Sequence, residues 1–254
     1  IIKTLQPGLA ICITSAQTKV LRLMSTFLTK LISLFPVEVY MAHDELRFLY
    51  QTVEKAIRNG LEVFEKDTET PTASFFGTFL ILKTAFSNDS KYFEKFVEKF
   101  TKFVILLKNE HLATNPQPPS TAAQSMTTPN VELTKEMLMQ SLHLLKKYVS
   151  VMAPETRKNY INVVLVELIE KSNDPRVLRA IIQLLDNWFK MKSFENEPSN
   201  REKVLLIQKL TYHIENRFSS DSALNIQFLD LIYFIYSDSD LNTMELTSNL
   251  DRAF

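Results

Sequence analysis

Residues 153–192 read APETRKNYINVVLVELIEKSNDPRVLRAIIQLLDNWFKMK. Two helices joined by a tight turn account for this string. Pro154 suits the first helical position, where its missing N–H is not needed, and Glu155 suits the positive end of the helix dipole. From Tyr160 to Ile169 only Asn162 and Glu167 interrupt an apolar run. A helix that apolar needs cover on most of its sides. Ser172-Asn173-Asp174-Pro175 stops it and starts the next, with Asp174 as N-cap. In the second helix Val177, Ile181, Leu184, Leu185 and Trp188 form a narrower stripe, flanked by Leu178, Ile182 and Phe189. Arg176, Arg179, Gln183, Asp186 and Lys190 take the other side. One well-buried helix beside one half-buried helix is a unit that stacks in rows.

The flanking chain repeats the theme. Amphipathic patterns predict helices over 18–35, 42–66, 75–86, 92–107, 131–152, 204–218 and 221–236. Pro36 ends the first of them. Ser199 and Glu202 form a capping box ahead of 204–218. Lys19-Val20-Leu21-Arg22 echoes Arg176-Val177-Leu178-Arg179, and Lys203-Val204-Leu205 is a fainter copy. Second-of-pair helices begin near 16, 71, 131, 174 and 221. That step of about 40 to 60 residues is close to the rhythm of HEAT and armadillo repeats once loops are allowed for. The expected fold is all-α, an α-solenoid of HEAT-like antiparallel helix pairs, over residues 1–254 as a single stretch. A compact helical bundle is the competing architecture. Residues 112–130 hold four prolines among Ser, Thr, Ala, Gln and Asn and read as a flexible surface loop.

Composition narrows the function. Only 3 of 254 residues are glycine, which disfavours β-rich folds and phosphate-cradling loops. Lys and Arg balance Asp and Glu at 29 each, so the basic excess of a nucleic-acid binder is missing. Cys12 stands alone in an apolar stretch and reads as a buried structural thiol. No apolar run approaches the roughly 18 to 20 residues of a membrane span. The start, Ile-Ile-Lys-Thr-Leu-Gln-Pro, lacks a signal-peptide layout and an initiator Met, so the chain reads as an excerpt of a longer one.

Searching for chemistry gives little. His43, His111, His143 and His213 fall at no metal-binding spacing. Gly8, Gly60 and Gly77 form no phosphate loop, and no kinase-type string occurs. We therefore expect no catalytic, cofactor-binding or metal-binding residue, and no small-molecule substrate. Lys91, Lys95, Lys99 and Lys102 make a basic stripe on one helix, but Glu94 and Glu98 dilute it, and a solvated face is the expectation. The apolar string 228–236 reads as the seam between one pair and the next.

Four strings carry a resemblance. They are Phe76-Gly77-Thr78-Phe79-Leu80-Ile81-Leu82-Lys83; Arg157-Lys158-Asn159 followed by Leu168-Ile169-Glu170-Lys171-Ser172; Arg201-Glu202-Lys203 leading to Tyr212-His213-Ile214-Glu215-Asn216-Arg217-Phe218; and Leu224-Asn225-Ile226-Gln227-Phe228-Leu229-Asp230-Leu231. In order and spacing they resemble the transformation/transcription domain-associated protein family, kinase-like scaffolds of histone acetyltransferase coactivator complexes. The resemblance covers most of the chain after Phe76. It implies a HEAT-type solenoid within a chain of several thousand residues, whose catalytically dead kinase-like domain lies elsewhere. It implies a nuclear, non-catalytic scaffold that meets transcription activators and acetyltransferase-complex subunits, with no direct contact to nucleic acid or membrane. No binding residue of the family maps onto a position here. The alternative is a helical-repeat adaptor of another kind, such as a nuclear transport receptor or vesicle-coat adaptor. Neutral charge disfavours the former, which is usually acidic.

Overall fold

A computed structural model of the chain describes residues 19–20, 23, 26–27, 42–66, 75–88, 90–114, 129–148, 152–190 and 199–238. Among these every regular element is helical. The expectations for Cys12, for most of the helix over 18–35 and for most of the loop at 112–130 lie outside the described residues. The described edges of that loop differ from expectation. The preceding helix runs on through Ala113, and the next begins at Pro129.

The chain divides into two compact units, Ile1–Lys95 and Phe96–Phe254. In the first, α1 (Asp44–Lys66) packs on α2 (Phe76–Asn88). Their seam is aromatic. Phe64 lies 6.3 Å from Phe75 and 6.4 Å from Phe86, and Phe86 meets Phe93 edge to face at 5.8 Å. Edge-to-face contacts set a ring's positive edge against its neighbour's negative face. Leu23 and Phe27, within the amphipathic helix expected over 18–35, are 71% and 39% exposed. An apolar face is buried only where a neighbour covers it, and among the described residues none covers these two.

The second unit holds the layered stack. The helices are α3 (Ser90–Ala113, which begins in the first unit), α4 (Pro129–Tyr148), α5 (Pro154–Tyr160), a π-helical stretch (Ile161–Val166), α6 (Glu167–Lys171), α7 (Pro175–Lys190), α8 (Asn200–Arg217) and α9 (Ser222–Ser237). The segment from α5 to α6 acts as one helix. It turns at Ser172-Asn173-Asp174 into α7, which packs back on α6. In the second-of-pair layer α7 lies between α4 and α9. In the first-of-pair layer α8 packs on the π stretch and α6. The helices thus stack in two layers, joined where α6 turns into α7.

The helix after Pro154 is well buried, as expected, though not on every side. Tyr160, Ile161, Val164, Leu165, Leu168 and Ile169 are buried, but Val163 and Val166 are half-buried and Asn162 is exposed. Conversely α7 buries Val177, Leu178, Ile181, Ile182, Leu184, Leu185, Trp188 and Phe189, half of its 16 residues. The cause is position. A middle helix touches α4, α9 and α6 at once, so even a narrow stripe is covered from three directions. Each such aliphatic or aromatic side chain contributes about 1.5–3 kcal/mol relative to exposure. The string Lys203-Val204-Leu205 falls in α8, the first helix of its pair, so it is not the counterpart of the α7 opening.

Helix starts follow their caps. Asp174 accepts the Arg176 N–H at 2.9 Å, Asp221 accepts that of Leu224 at 2.9 Å, and Ser199 with Glu202 forms the reciprocal capping box.

Candidate functional site

Polar side chains tie each pair to the next. Lys108 of α3 is buried, yet its Nζ donates to the Val163 carbonyl at 2.9 Å and meets the Glu167 carboxylate at 2.5 Å. A π turn loosens the regular i→i−4 ladder, and here the carbonyl of a π-helical residue is met by a side chain from the neighbouring pair. The hydrogen bond from Lys108 holds Glu167 below the usual carboxylate range, against the opposing effect of burial. Glu167 also faces Lys171 at 3.8 Å, so its carboxylate is shared between an exposed and a buried ammonium.

A second tie is a ring of alternating charge. Lys135 meets Glu132 and Asp174 at 2.9 Å each, and Arg176 meets Asp174 at 3.0 Å and Glu132 at 3.6 Å. Burial alone would raise the Asp174 carboxyl, but hydrogen bonds from Arg176 and Lys135 outweigh it and hold the group at about 2. Burial works against the Lys135 ammonium too, and its two carboxylate partners reverse that and raise it. Beside the ring His111 shares a buried 3.0 Å hydrogen bond with Ser172 Oγ, and burial lowers its pKa. The third tie is Arg217 of α8. It donates to the Ile169 and Glu170 carbonyls at 2.8 and 2.6 Å, satisfying carbonyls that the end of α6 leaves open.

On the outer face of the second-of-pair layer an open groove of about 450 Å³ crosses three helices. Gln140 and His143 come from α4, Arg176, Arg179 and Gln183 from α7, and Gln227 from α9. Met139 and Ala180 add apolar lining. The polar face of α7 expected from its spacing is therefore a groove wall.

The structure does not gather the four histidines into a centre. His43 and His143 are exposed, His111 is buried, and His213 is half-buried beside Arg217. Among the described residues no three of His, Cys, Asp and Glu are grouped to hold a metal ion. Along the basic stripe Lys95 and Lys102 are exposed and Lys99 is half-buried, interleaved with exposed Glu94 and Glu98. The Lys91 side chain lies outside the described set. In the string 228–236, Phe228, Leu231, Ile232 and Ile235 are buried, while Tyr233 is 75% exposed. Among the described residues no helix is long and apolar enough to cross a membrane. The groove and the inter-pair ties were missed at the sequence level. One legible signal existed, a glutamine recurring in α4, α7 and α9 at 140, 183 and 227.

Stacked antiparallel pairs joined by polar ties, with a polar groove running across the stack, define an α-solenoid of HEAT type. The whole chain, residues 1–254, matches the Tra1 HEAT repeat ring region, and it belongs to that family. It is 41% identical over 99% of its length to a transformation/transcription domain-associated protein of Danio rerio and 40% identical over 99% to that of Homo sapiens. A transcription-associated protein 1 of Drosophila melanogaster is 37% identical over 100% of the chain. The chain spans about 7% of the length of each of these relatives.

Proposed function

We propose that this chain is a scaffold segment of a nuclear transcription coactivator. It acts without catalysis and presents helical-repeat surface to transcription activators and histone acetyltransferase complex subunits. Residues 1–254 form one stretch of repeats within that scaffold, and no direct contact with nucleic acid is required of it. The observation that carries this reading is the whole-chain match to a HEAT repeat ring region whose relatives are named for transcription. The stacked pairs support it, since such arrays offer extended faces suited to partners. Membership in this family also displaces the transport-receptor and coat-adaptor alternative. The test is affinity capture with the tagged full-length protein from nuclear extract. Acetyltransferase-complex subunits should be recovered stoichiometrically, and their consistent absence would remove the proposal.

A further inference from the structure

The groove across α4, α7 and α9 has a composition that neither the family match nor the relatives' names account for. These three helices each contribute one glutamine to it, and the steps from Gln140 to Gln183 and on to Gln227 are each about one helix pair of chain. A primary amide both donates and accepts, which is also the pattern a peptide main chain presents. Packed helices lie about 8–10 Å apart, and an extended chain rises about 3.3 Å per residue. Three such amides therefore match a strand of six or seven residues laid across the helices.

Two further observations select the ligand. Gln227 lines the groove while its Oε1 is buried without a hydrogen-bond partner, so a turn of the amide toward the groove would gain an N–H donor. A main-chain amide supplies one, and a free carboxylate or phosphate ion does not. The charge in the groove is positive and unevenly used. Arg176 is already engaged by Asp174 and Glu132. Among the described residues Arg179 is paired with no carboxylate, and the side chains of Gln140 and Gln183 make no hydrogen bond.

We propose that this groove binds an extended peptide segment, its main chain held by Gln140, Gln183 and Gln227 and one Asp or Glu side chain held by Arg179. The inference deepens the scaffold reading and rests on it, because it gives that scaffold a particular docking site and a particular partner chemistry. It involves no covalent step.

The test uses full-length protein, unaltered or carrying Arg179→Glu with Gln183→Ala, panned against a random heptapeptide library displayed on phage. The expected result is a set of peptides captured by the unaltered protein alone, with Asp or Glu at one fixed position. One of these peptides, made synthetically, should bind at least tenfold more weakly by fluorescence anisotropy when its main chain is N-methylated opposite the glutamines. Arg179→Glu alone should weaken it at least tenfold. A peptide with Lys in place of its acidic residue should then bind Arg179→Glu better than the unaltered protein, a gain that a misfolded variant cannot give. Capture that is absent, equal on both proteins, or indifferent to N-methylation overturns the inference. Affinity capture of complex subunits with the same proteins separates the two readings. Subunits recovered without any peptide binding would leave the scaffold intact and remove the groove. Peptide binding without subunits would remove the scaffold role alone.

Discussion

Lys108 is where the chain's ordinary composition conceals an unusual position. Its side chain is 3% exposed, whereas the Glu167 carboxylate facing it is 35% exposed. The two ends of this pair should therefore respond differently to removal. Glu167→Ala strands an ammonium in the interior with one carbonyl for company, at a cost of about 3–5 kcal/mol. Lys108→Met leaves a carboxylate that water can reach and refills the space, at about 1–2 kcal/mol. Urea denaturation of both variants checks the order, and a reversed order would show that the ammonium is not the desolvated partner. Asp174 and His111 set the acid response. The folded Asp174 carboxyl sits at about 2 against 3.8 ordinarily. The unfolded chain therefore takes up that proton first, and about 1–2 kcal/mol is present above pH 4 and lost between about 4 and 2. His111 is lowered from 6.5 by burial, so the unfolded state is again protonated first and stability begins to fall below about pH 6.5. His213, lowered by burial and by Arg217, contributes in the same range. A His111→Gln variant, which can still bond to Ser172, should lose less stability than the parent as the pH falls from 7.5 to 5.5. Equal losses throughout would mean that the ring titrates alike in both states. Asp174 was legible as a cap because an Asp-Pro dipeptide marks a helix start. Lys108 and His111 were not, since Lys108-Asn109-Glu110-His111 reads as a polar helix end and only the neighbouring pair makes it interior.

At the scale of elements, starts were legible and interiors less so. The beginnings of α4, α7 and α9 lie within two residues of the expected 131, 174 and 221, because capping side chains and prolines act locally. The π stretch at 161–166 had no sequence sign. Its Ile and Val residues suit any buried helix, and the carbonyl taken by Lys108 belongs to tertiary structure. The seam of α7 offers the sharpest packing test. Trp188 is 1% exposed and its indole N–H is buried without a partner. Trp188→Ala should cost about 3–5 kcal/mol through the cavity it leaves. Trp188→Phe loses volume but also removes an unsatisfied donor, whose burial costs about 1–3 kcal/mol. The phenylalanine variant should therefore melt much closer to the parent than to the alanine variant. Matching melting temperatures for the two variants would mean that the indole N–H is in fact hydrogen-bonded.

For the molecule as a whole, the choice left open by periodicity was between a stacked array and a compact bundle. The rhythm of the pairs pointed to the array, and the contacts of α7 with α4 and α9 agree. The groove was not legible, because hydrophobic patterning describes what is buried and is blind to which polar face lies beside which. Arg217 gives the architecture a quantitative test. It links α8 to the carboxyl end of α6. In a quasi-one-dimensional array, stability is a sum of unit and nearest-neighbour terms, so a perturbation at one interface stays there. Arg217→Ala should accelerate amide hydrogen exchange in α6, α8 and α9 and leave α4 at its parental rate. In a compact bundle one cooperative unit would open together, and α4 would accelerate as much as α6. Exchange measured on peptides from 129–148 and 167–171 in the full-length protein distinguishes these outcomes. The same locality would let one pair carry a docking groove without disturbing its neighbours, since exposed Gln183 and half-buried Arg179 lie on the face of α7 away from its seam.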